Sequence, residues 1–135
     1  MRFLDTNILL YSVSSAQNER TKRETAERLL LEPDNALSVQ VLQEFYVQAT
    51  RPTRAARLPH ETAVRLIGTW LRFPVQSMTV AVMSDALDIK AAAGLSYWDA
   101  AIVAAAKALG CRELFSEDMA HGRDIGGVRI VNPFR

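Results

Sequence analysis

Short apolar segments alternate with longer, helix-like segments along this chain. Five segments are typical of strands because they are brief, apolar and bounded by turn residues: 2–4, 36–37, 75–78, 112–116 and 128–131. In the last of these, Val128 and Ile130 alternate with Arg129 and Val131, which is the pattern of a strand with one buried face. The stretch Asp-Ile-Gly-Gly at 124–127 is expected to be a loop.

Helices are expected between these strands. A first helical turn begins near Asn7, and the longer segments of helical periodicity are 17–32, 38–51, 60–71, 79–93 and 95–110. Pro33 and Gly94 mark the ends of two of them. Segment 95–110 is apolar on almost every side, which predicts a buried central helix. Short strands separated by helices predict βαβ units, an α/β fold and a mainly parallel sheet.

The composition predicts one intracellular domain. A chain of 135 residues with 49% hydrophobic residues can fill one core, so residues 1–135 are expected to form a single domain. Cys111 is the only cysteine, which excludes an internal disulfide and favours the reducing cytoplasm. The sequence shows no signal peptide and no membrane-spanning segment. The net charge of +1 provides no overall field for a polyanion, so any nucleic-acid site must be local.

Acidic residues directly follow two of the predicted strands. Asp5 comes after the first strand, and Glu117 and Asp118 come after the fourth. Because the carboxyl ends of parallel strands meet at the same edge of a sheet, these acids are expected to converge there. The alternative for Asp5 and for Asp118 is a helix-capping or turn role, which aspartate commonly has after a strand.

Two further acids lie within predicted helices. Asp99 is in the first turn of the apolar helix, where a charge is costly to desolvate, but the spacing Ser96-x-x-Asp99 is also that of a capping box. The two roles are compatible, because a carboxylate has two oxygens. Glu44 borders the apolar face that includes Val41 and Phe45, and by itself it is typical of a boundary residue. Glu44 becomes a candidate for the site only because the other acids are present.

Four short motifs, taken in order, resemble the PIN-domain family. They are Asp-Thr-Asn at 5–7, the glutamate of VLQEFY at 41–46, the aspartate of LSYWDAAIVAAAKALG at 95–110, and FSEDM at 115–119. Within that family the chain resembles the VapC-type toxin ribonucleases of toxin–antitoxin modules. The resemblance implies a three-layer α/β/α sandwich with a central mainly parallel sheet. It also implies a Mg²⁺- or Mn²⁺-dependent endoribonuclease.

The resemblance assigns the acidic residues of the implied site. It implies that Asp5, Glu44, Asp99 and Asp118 are the catalytic acids. Asp5 and Asp99 are the expected direct metal ligands, and Glu44 and Asp118 are expected to act partly through water. Glu117 is adjacent to Asp118 and stays open as an alternative for the fourth acid.

The same resemblance assigns Thr6, Asn7 and Ser116 to positions that orient the acids or the attacking water. The family more often has threonine where this chain has Ser116, and both side chains supply a hydroxyl. Clustered carboxylates repel one another unless a cation neutralises them, and an all-oxygen ligand set without Cys or His favours a hard ion such as Mg²⁺. Whether one or two metals act stays open. Hydrolysis is expected to leave a 5′-phosphate and a 3′-hydroxyl.

RNA, an antitoxin and a second copy of the chain are the expected partners. Arg51, Arg54 and Arg57 recur every three residues and are candidates for phosphate contacts, although a solvated loop explains them equally well. Apolar residues at 9–11, 70–71 and 73 are candidates for surface that a homodimer or an antitoxin segment would cover. Packing into the core is their alternative.

Other α/β families with acidic sites fit less well. A haloacid-dehalogenase-like phosphatase requires a second aspartate two positions after the first, where this chain has Asn7. A phospho-receiver domain requires an acid at the end of the middle strand, and residues 75–79 contain none. Two alternatives remain: a housekeeping PIN nuclease in RNA processing, and an inert PIN-like module that binds RNA or protein. The four acids disfavour the inert module, because uncompensated carboxylates repel one another.

Overall fold

The computed structural model describes residues 1–135 and contains six strands in one sheet. The strands are β1 (Arg2–Leu4), β2 (Asn35–Ser38), β3 (Val75–Gln76), β4 (Glu113–Phe115), β5 (Asp124–Ile125) and β6 (Val128–Val131). Their order across the sheet is β3-β2-β1-β4-β6-β5. Every pair is parallel except β5 with β6, so the predicted mainly parallel sheet is confirmed.

Six α-helices flank the sheet. They are α1 (Thr6–Ser12), α2 (Arg20–Leu31), α3 (Val39–Ala49), α4 (His60–Trp70), α5 (Val80–Ala93) and α6 (Tyr97–Ala108). Helix α1 packs against α2 and α3, α3 packs against α4, and α5 packs against α6. No helix is both long and apolar enough to cross a bilayer. The predicted α/β class, with helices around a central sheet, is confirmed.

The expected loop at 124–127 is the one element that was predicted wrongly. Asp124 and Ile125 form β5, which pairs antiparallel with β6 through a Gly126-Gly127 turn. Both glycines have positive φ, 60° and 89°, which other residues rarely adopt. A two-residue strand is too short to show alternation in sequence, so only the Gly-Gly turn could have indicated the hairpin.

Several boundaries also differ from the sequence-based expectations. The first residues of the segment 17–32 form a 3₁₀ helix, Gln17–Glu19, and only then does α2 begin. Helix α3 ends at Ala49, two residues before the expected end. Strand β3 covers only two of the four residues expected at 75–78. These differences leave the order and type of the elements unchanged.

The buried apolar side chains form one continuous core. Residues 100–106 of α6 are all buried, which confirms the prediction of a central buried helix. Trp70 and Phe73 also belong to this core, and the Trp70 ring meets Phe45 edge to face at 4.8 Å between centroids. Leu71 is instead 56% exposed. Of the six apolar candidates for a partner surface, three are therefore buried, and Leu10 and Tyr11 are half-buried against the core.

The chain reverses its direction across the sheet between β1 and β4. Strands β1, β2 and β3 follow one another outwards, and the chain then returns to place β4 on the other side of β1. The Asp5 amide, just beyond β1, donates to the Phe115 carbonyl at 3.0 Å. In open α/β sheets ligands bind beyond the carboxyl ends of the strands at such a point. The residues that follow β1 and β4 are therefore candidates for a ligand-binding site.

Candidate active site

Asp5 lies at the carboxyl end of β1 and is almost completely buried, with 4% of its surface exposed. Its Oδ1 accepts a hydrogen bond from the Thr6 amide at 2.7 Å, and its Oδ2 accepts one from Ser116 Oγ at 2.7 Å. The pKa of Asp5 is raised to about 7, mainly by burial and in smaller part by the charges of Asp118 and Glu44, while the two hydrogen bonds act against the increase. Asp5 thus caps α1 and is also held rigidly as a buried carboxyl group.

Ser116 and Asn7 connect Asp5 to Asp118. Asn7 Nδ2 donates to Asp118 Oδ2 at 3.1 Å and to Ser116 Oγ at 3.4 Å. The Asp118 amide donates to Ser116 Oγ at 3.1 Å. The turn after β4 therefore places Asp118 beside the end of β1, and the convergence expected from the two strands is present in the structure.

Glu44 points towards this site from α3. Thr6 Oγ1 donates to Glu44 Oε2 at 2.9 Å, and Gln40 Nε2 donates to Glu44 Oε1 at 3.0 Å. Gln40 Nε2 also reaches the backbone carbonyl of Trp98 at 3.1 Å, which ties α3 to the start of α6. Sequence reasoning missed Gln40, although its position one helical turn before Glu44 places both side chains on one face.

Asp99 occupies the first turn of α6. Its amide donates to Ser96 Oγ at 3.2 Å, so the predicted cap at Ser96 is confirmed. Burial is the main cause that raises the pKa of Asp99. A hydrogen bond between the Asp99 carboxylate and the Ser96 side chain lowers this pKa but does not cancel the increase. The charges of Asp118 and Glu44 add to the increase. Glu44 and Asp118 therefore act electrostatically on both Asp5 and Asp99.

No basic side chain pairs with these four carboxylates. Asp5, Glu44, Asp99 and Asp118 take part in none of the ion pairs of the protein. No three acidic, His or Cys side chains lie close enough together to hold one ion directly. Mg²⁺ usually keeps several waters and binds through one or two carboxylates, so it does not require three of them at ligand distance. The donor set fits Mg²⁺ or Mn²⁺.

Glu117 is engaged elsewhere. Its Oε2 accepts from Lys22 Nζ at 2.5 Å and its Oε1 accepts from the Tyr11 hydroxyl, whose ring packs edge to face on Phe134. Burial raises the pKa of Glu117, but the hydrogen bonds from Lys22 and Tyr11 outweigh that effect and the pKa lies below its usual range. Sequence reasoning did not single out Lys22, and it considered Tyr11 only as a candidate for a partner surface. Of the two adjacent carboxylates, that of Asp118 is the one that accepts a hydrogen bond from Asn7.

The three arginines of segment 51–57 face different surroundings. Arg51 lines a groove of about 530 Å³ together with Glu44 and Trp98. Arg54 lines a separate depression of about 300 Å³ beside the loop at 13–19. Arg57 is exposed. Of the expected basic residues, Arg51 is therefore the one that shares a groove with a candidate acid.

Comparison with known proteins gives a family and several solved folds. The model of the family described as PIN domain matches residues 2–123. A toxin–antitoxin complex from Klebsiella pneumoniae contains a chain that is 22% identical, with 98% of each chain covered and a TM-score of 0.72. The Sarcin-Ricin loop cleaving toxin VapC20 of Mycobacterium tuberculosis is 22% identical, with 87% of this chain and 92% of that chain covered and a TM-score of 0.68.

DNA-bound VapBC from Salmonella typhimurium gives a third comparison. A chain of that complex is 19% identical, with 96% of this chain and 95% of that chain covered and a TM-score of 0.66. No curated protein matches the sequence significantly. At these identities the solved structures establish similarity of fold alone.

Proposed function

The chain belongs to the PIN domain family, and we propose that it is a Mg²⁺- or Mn²⁺-dependent endoribonuclease that acts as the toxin of a type II toxin–antitoxin system. One observation carries the nuclease proposal: Glu44 and Asp118 raise the pKa of both Asp5 and Asp99, so four acids from separate elements lie within electrostatic reach of one another without a basic partner. Carboxylates placed in this way cost stability unless a cation is bound, which favours a functional role for them. Families built on hard-metal sites of this kind commonly hydrolyse phosphodiesters.

Each polar residue of the site has a defined part in this proposal. Asp5 and Asp99 would hold the ion, which when bound supplies the Lewis acidity that phosphodiester hydrolysis needs. The Thr6 amide and Ser116 fix the two oxygens of Asp5. Thr6 Oγ1 fixes Glu44, so one residue orients two acids through its backbone and its side chain. These contacts keep the carboxylates in place before any ligand arrives, which is what preorganisation requires.

Asn7 orients the remaining acid. The side-chain Nδ2 of Asn7 donates to Asp118, and its side-chain Oδ1 accepts from the Glu117 backbone amide at 3.3 Å. Asn7 therefore holds the turn after β4 by two contacts. Asp118 is exposed and can therefore reach water at the mouth of the site. We assign Asp118 to the site and assign Glu117 to holding the turn that carries it.

An antitoxin and a second copy of the chain are the proposed protein partners. Similar folds occur in the Klebsiella pneumoniae toxin–antitoxin complex and in VapBC of Salmonella typhimurium. Helix α5 exposes Val80, Met83 and Leu87, which recur at helical spacing and form an apolar stripe. The stripe supports a homodimer or an antitoxin contact, because exposed apolar stripes commonly mark protein interfaces.

Induced expression in a bacterial host tests the proposal. The wild type is expected to arrest growth and to produce new RNA ends that carry a 5′-phosphate, whereas Asp5→Asn at equal protein level is expected to do neither. Coexpression of a cognate antitoxin is expected to restore growth. Specific RNA cleavage without growth arrest would favour a processing nuclease, and identical RNA ends for both proteins would contradict the proposal.

The fourth acid can be identified with a matched pair of variants. Asp118→Asn is expected to lower kcat about 10–100-fold, the usual loss when a residue that supports a metal site is removed. Glu117→Gln is expected to keep kcat within about threefold of the wild type. It should lower the free energy of unfolding by about 0.5–1 kcal/mol, because the ion pair of Glu117 with Lys22 is half-exposed. Cleavage rates and urea denaturation measure both effects, and a reversed order would make Glu117 the fourth acid.

A further inference from the structure

A groove runs from the candidate site along α3 towards Arg51. Its volume is about 530 Å³, within the range of small-ligand sites, and the start of α6 forms its opposite wall. On the α3 side, Gln40, Glu44 and Gln48 recur every four residues, so they lie on one face of the helix. Glu44 belongs both to this groove and to the acidic cluster. The groove is therefore an extension of the proposed active site.

Trp98 supplies a large aromatic surface in this groove. Its side chain is 62% exposed, although tryptophan is usually highly buried. The indole meets the Tyr97 ring edge to face at 5.0 Å between centroids, which restrains its orientation. The other tryptophan, Trp70, is 4% exposed and belongs to the core. Of the two tryptophans, only Trp98 is therefore accessible to a ligand.

Apart from Val47, the rest of the lining is polar or charged. Gln43 and Gln48 present amides, and Arg51 presents a cation with no ion-pair partner. Gln40 is nine-tenths buried, and its Oε1 has no hydrogen-bond donor. Buried acceptors without a donor are uncommon, so Gln40 indicates a ligand or water that would complete this wall. An apolar peptide face would leave these amides and the cation unpaired.

We propose that this groove binds one nucleotide of single-stranded RNA next to the scissile bond, with its base stacked on Trp98 and a phosphate on Arg51. This proposal rests on the proposed ribonuclease function, because it names the form of RNA that the site accepts. Bases stack on aromatic side chains only where the RNA is unpaired, as in loops and single strands. Arg51 follows the end of α3, and the helix rises about 7.5 Å from Glu44 to its last residue, Ala49. That separation places Arg51 at a phosphate away from the acids.

The groove also has the means to contact a base edge. Glutamine amides carry both a donor and an acceptor, so Gln43 and Gln48 can pair with the Watson–Crick edge of an unstacked base. Stacking is worth about 1–3 kcal/mol per base in single-strand binding and tolerates every base. The stacked residue therefore supplies affinity for single strands, and the glutamines supply the preference among bases.

Tryptophan fluorescence tests the subsite separately from catalysis. In the Asp5→Asn background, which we expect not to cleave, a single-stranded 12-nucleotide RNA is expected to quench the emission. Replacing Trp98 with phenylalanine in this background should remove the quenching, because the remaining tryptophan, Trp70, is buried. The same replacement should weaken RNA binding less than threefold, because phenylalanine can still stack on a base. Replacing it with leucine should weaken binding about tenfold, which corresponds to the loss of one stacked base. A duplex of the same sequence should not quench.

Arg51 has a matched control at the opposite edge of the sheet. Arg51→Ala is expected to weaken RNA binding and to reduce the slope of log K against log salt by about one, the signature of a lost phosphate contact. Arg112 is also exposed but lies beside the amino end of β4, and Arg112→Ala should leave both quantities unchanged. Equal effects of the two substitutions would show general charge attraction and would contradict the proposal.

Kinetics distinguish failure of the subsite from failure of the proposed function. In an otherwise wild-type protein, Trp98→Leu is expected to raise KM about tenfold for single-stranded RNA with kcat little changed. Unchanged KM and unchanged binding would overturn the subsite, while loss of cleavage in Asp5→Asn would still support the nuclease. RNA-dependent quenching in a wild type that cleaves no RNA would support the subsite and contradict the nuclease. Absence of quenching by every RNA would overturn the subsite and leave Trp98 to a protein partner.

Discussion

Asp5→Asn and Asp99→Asn are each expected to lower the rate of RNA cleavage by about 10³-fold or more at saturating RNA. Asparagine keeps the shape of the side chain, and at position 5 it can still accept from the Thr6 amide and donate to Ser116. It lacks the negative charge that holds a divalent ion. A Lewis acid lowers the barrier to phosphodiester hydrolysis by several kcal/mol, which corresponds to about this loss in rate.

Single-turnover cleavage of a labelled RNA measures this effect. Circular dichroism and urea denaturation verify that the variants remain folded. Asp88→Asn is the matched control, because Asp88 is exposed on α5 and has no ion-pair partner. Its rate should equal that of the wild type. A rate within threefold of the wild type for Asp5→Asn would rule out the assignment of Asp5.

In the absence of metal, the stability of the wild type relative to Asp5→Asn is expected to fall as the pH rises from about 4 to about 8. The pKa of Asp5 is raised by burial from 3.8 to about 7 in the folded protein. The folded state therefore retains a proton that the unfolded chain has already lost in this window, and protons bound to the folded state stabilise it. The contribution of Asp5 to the free energy of unfolding is greatest below the pKa that Asp5 has in the unfolded chain. It is lost as the pH rises through the pKa that Asp5 has in the folded protein. The difference between these two pKa values corresponds to a change of about 4 kcal/mol at most in the free energy of unfolding.

Urea denaturation of both proteins in the presence of chelator, at pH 5, 6, 7 and 8, measures this difference. Asp5→Asn carries no titrating group at this position and should become the more stable protein at pH 8. Saturating Mn²⁺ should then raise the stability of the wild type and not that of Asp5→Asn, because a ligand that binds only the folded state shifts the equilibrium towards it. A difference that does not vary with pH would show that the Asp5 carboxyl titrates normally.

The fold was largely predictable because its elements are short and separated by clear breaks. Strands such as β1 and β4 are apolar and end at polar residues, and helix caps such as Ser96 follow simple sequence rules. Strand β5 was missed because two residues carry no periodicity. The strand order was not predictable, since pairing between distant segments leaves no local signal. The switch point between β1 and β4 became visible only in the folded chain.

The candidate acids were found from sequence, but their supporting contacts were not. Asp5 and Asp118 follow strands, so topology alone predicted that they meet. Sequence could not decide between Glu117 and Asp118, because the choice depends on Lys22, which comes 95 positions earlier and reaches Glu117 in space. The role of Gln40 was likewise hidden in the sequence, because Gln40 links Glu44 to the backbone of α6 only in the folded chain. Contacts of this kind form only in the folded chain, and they are the reason that we propose Asp118 rather than Glu117 as the fourth acid.

The most direct test of the central claim is a metal titration of RNA cleavage with the purified protein. After treatment with chelator the protein is expected to cleave no single-stranded RNA. Added Mg²⁺ or Mn²⁺ should restore cleavage, and the products should carry a 5′-phosphate and a 3′-hydroxyl. Cleavage that persists in excess chelator, or products that end in a 2′,3′-cyclic phosphate, would contradict a metal-dependent hydrolysis at Asp5 and Asp99.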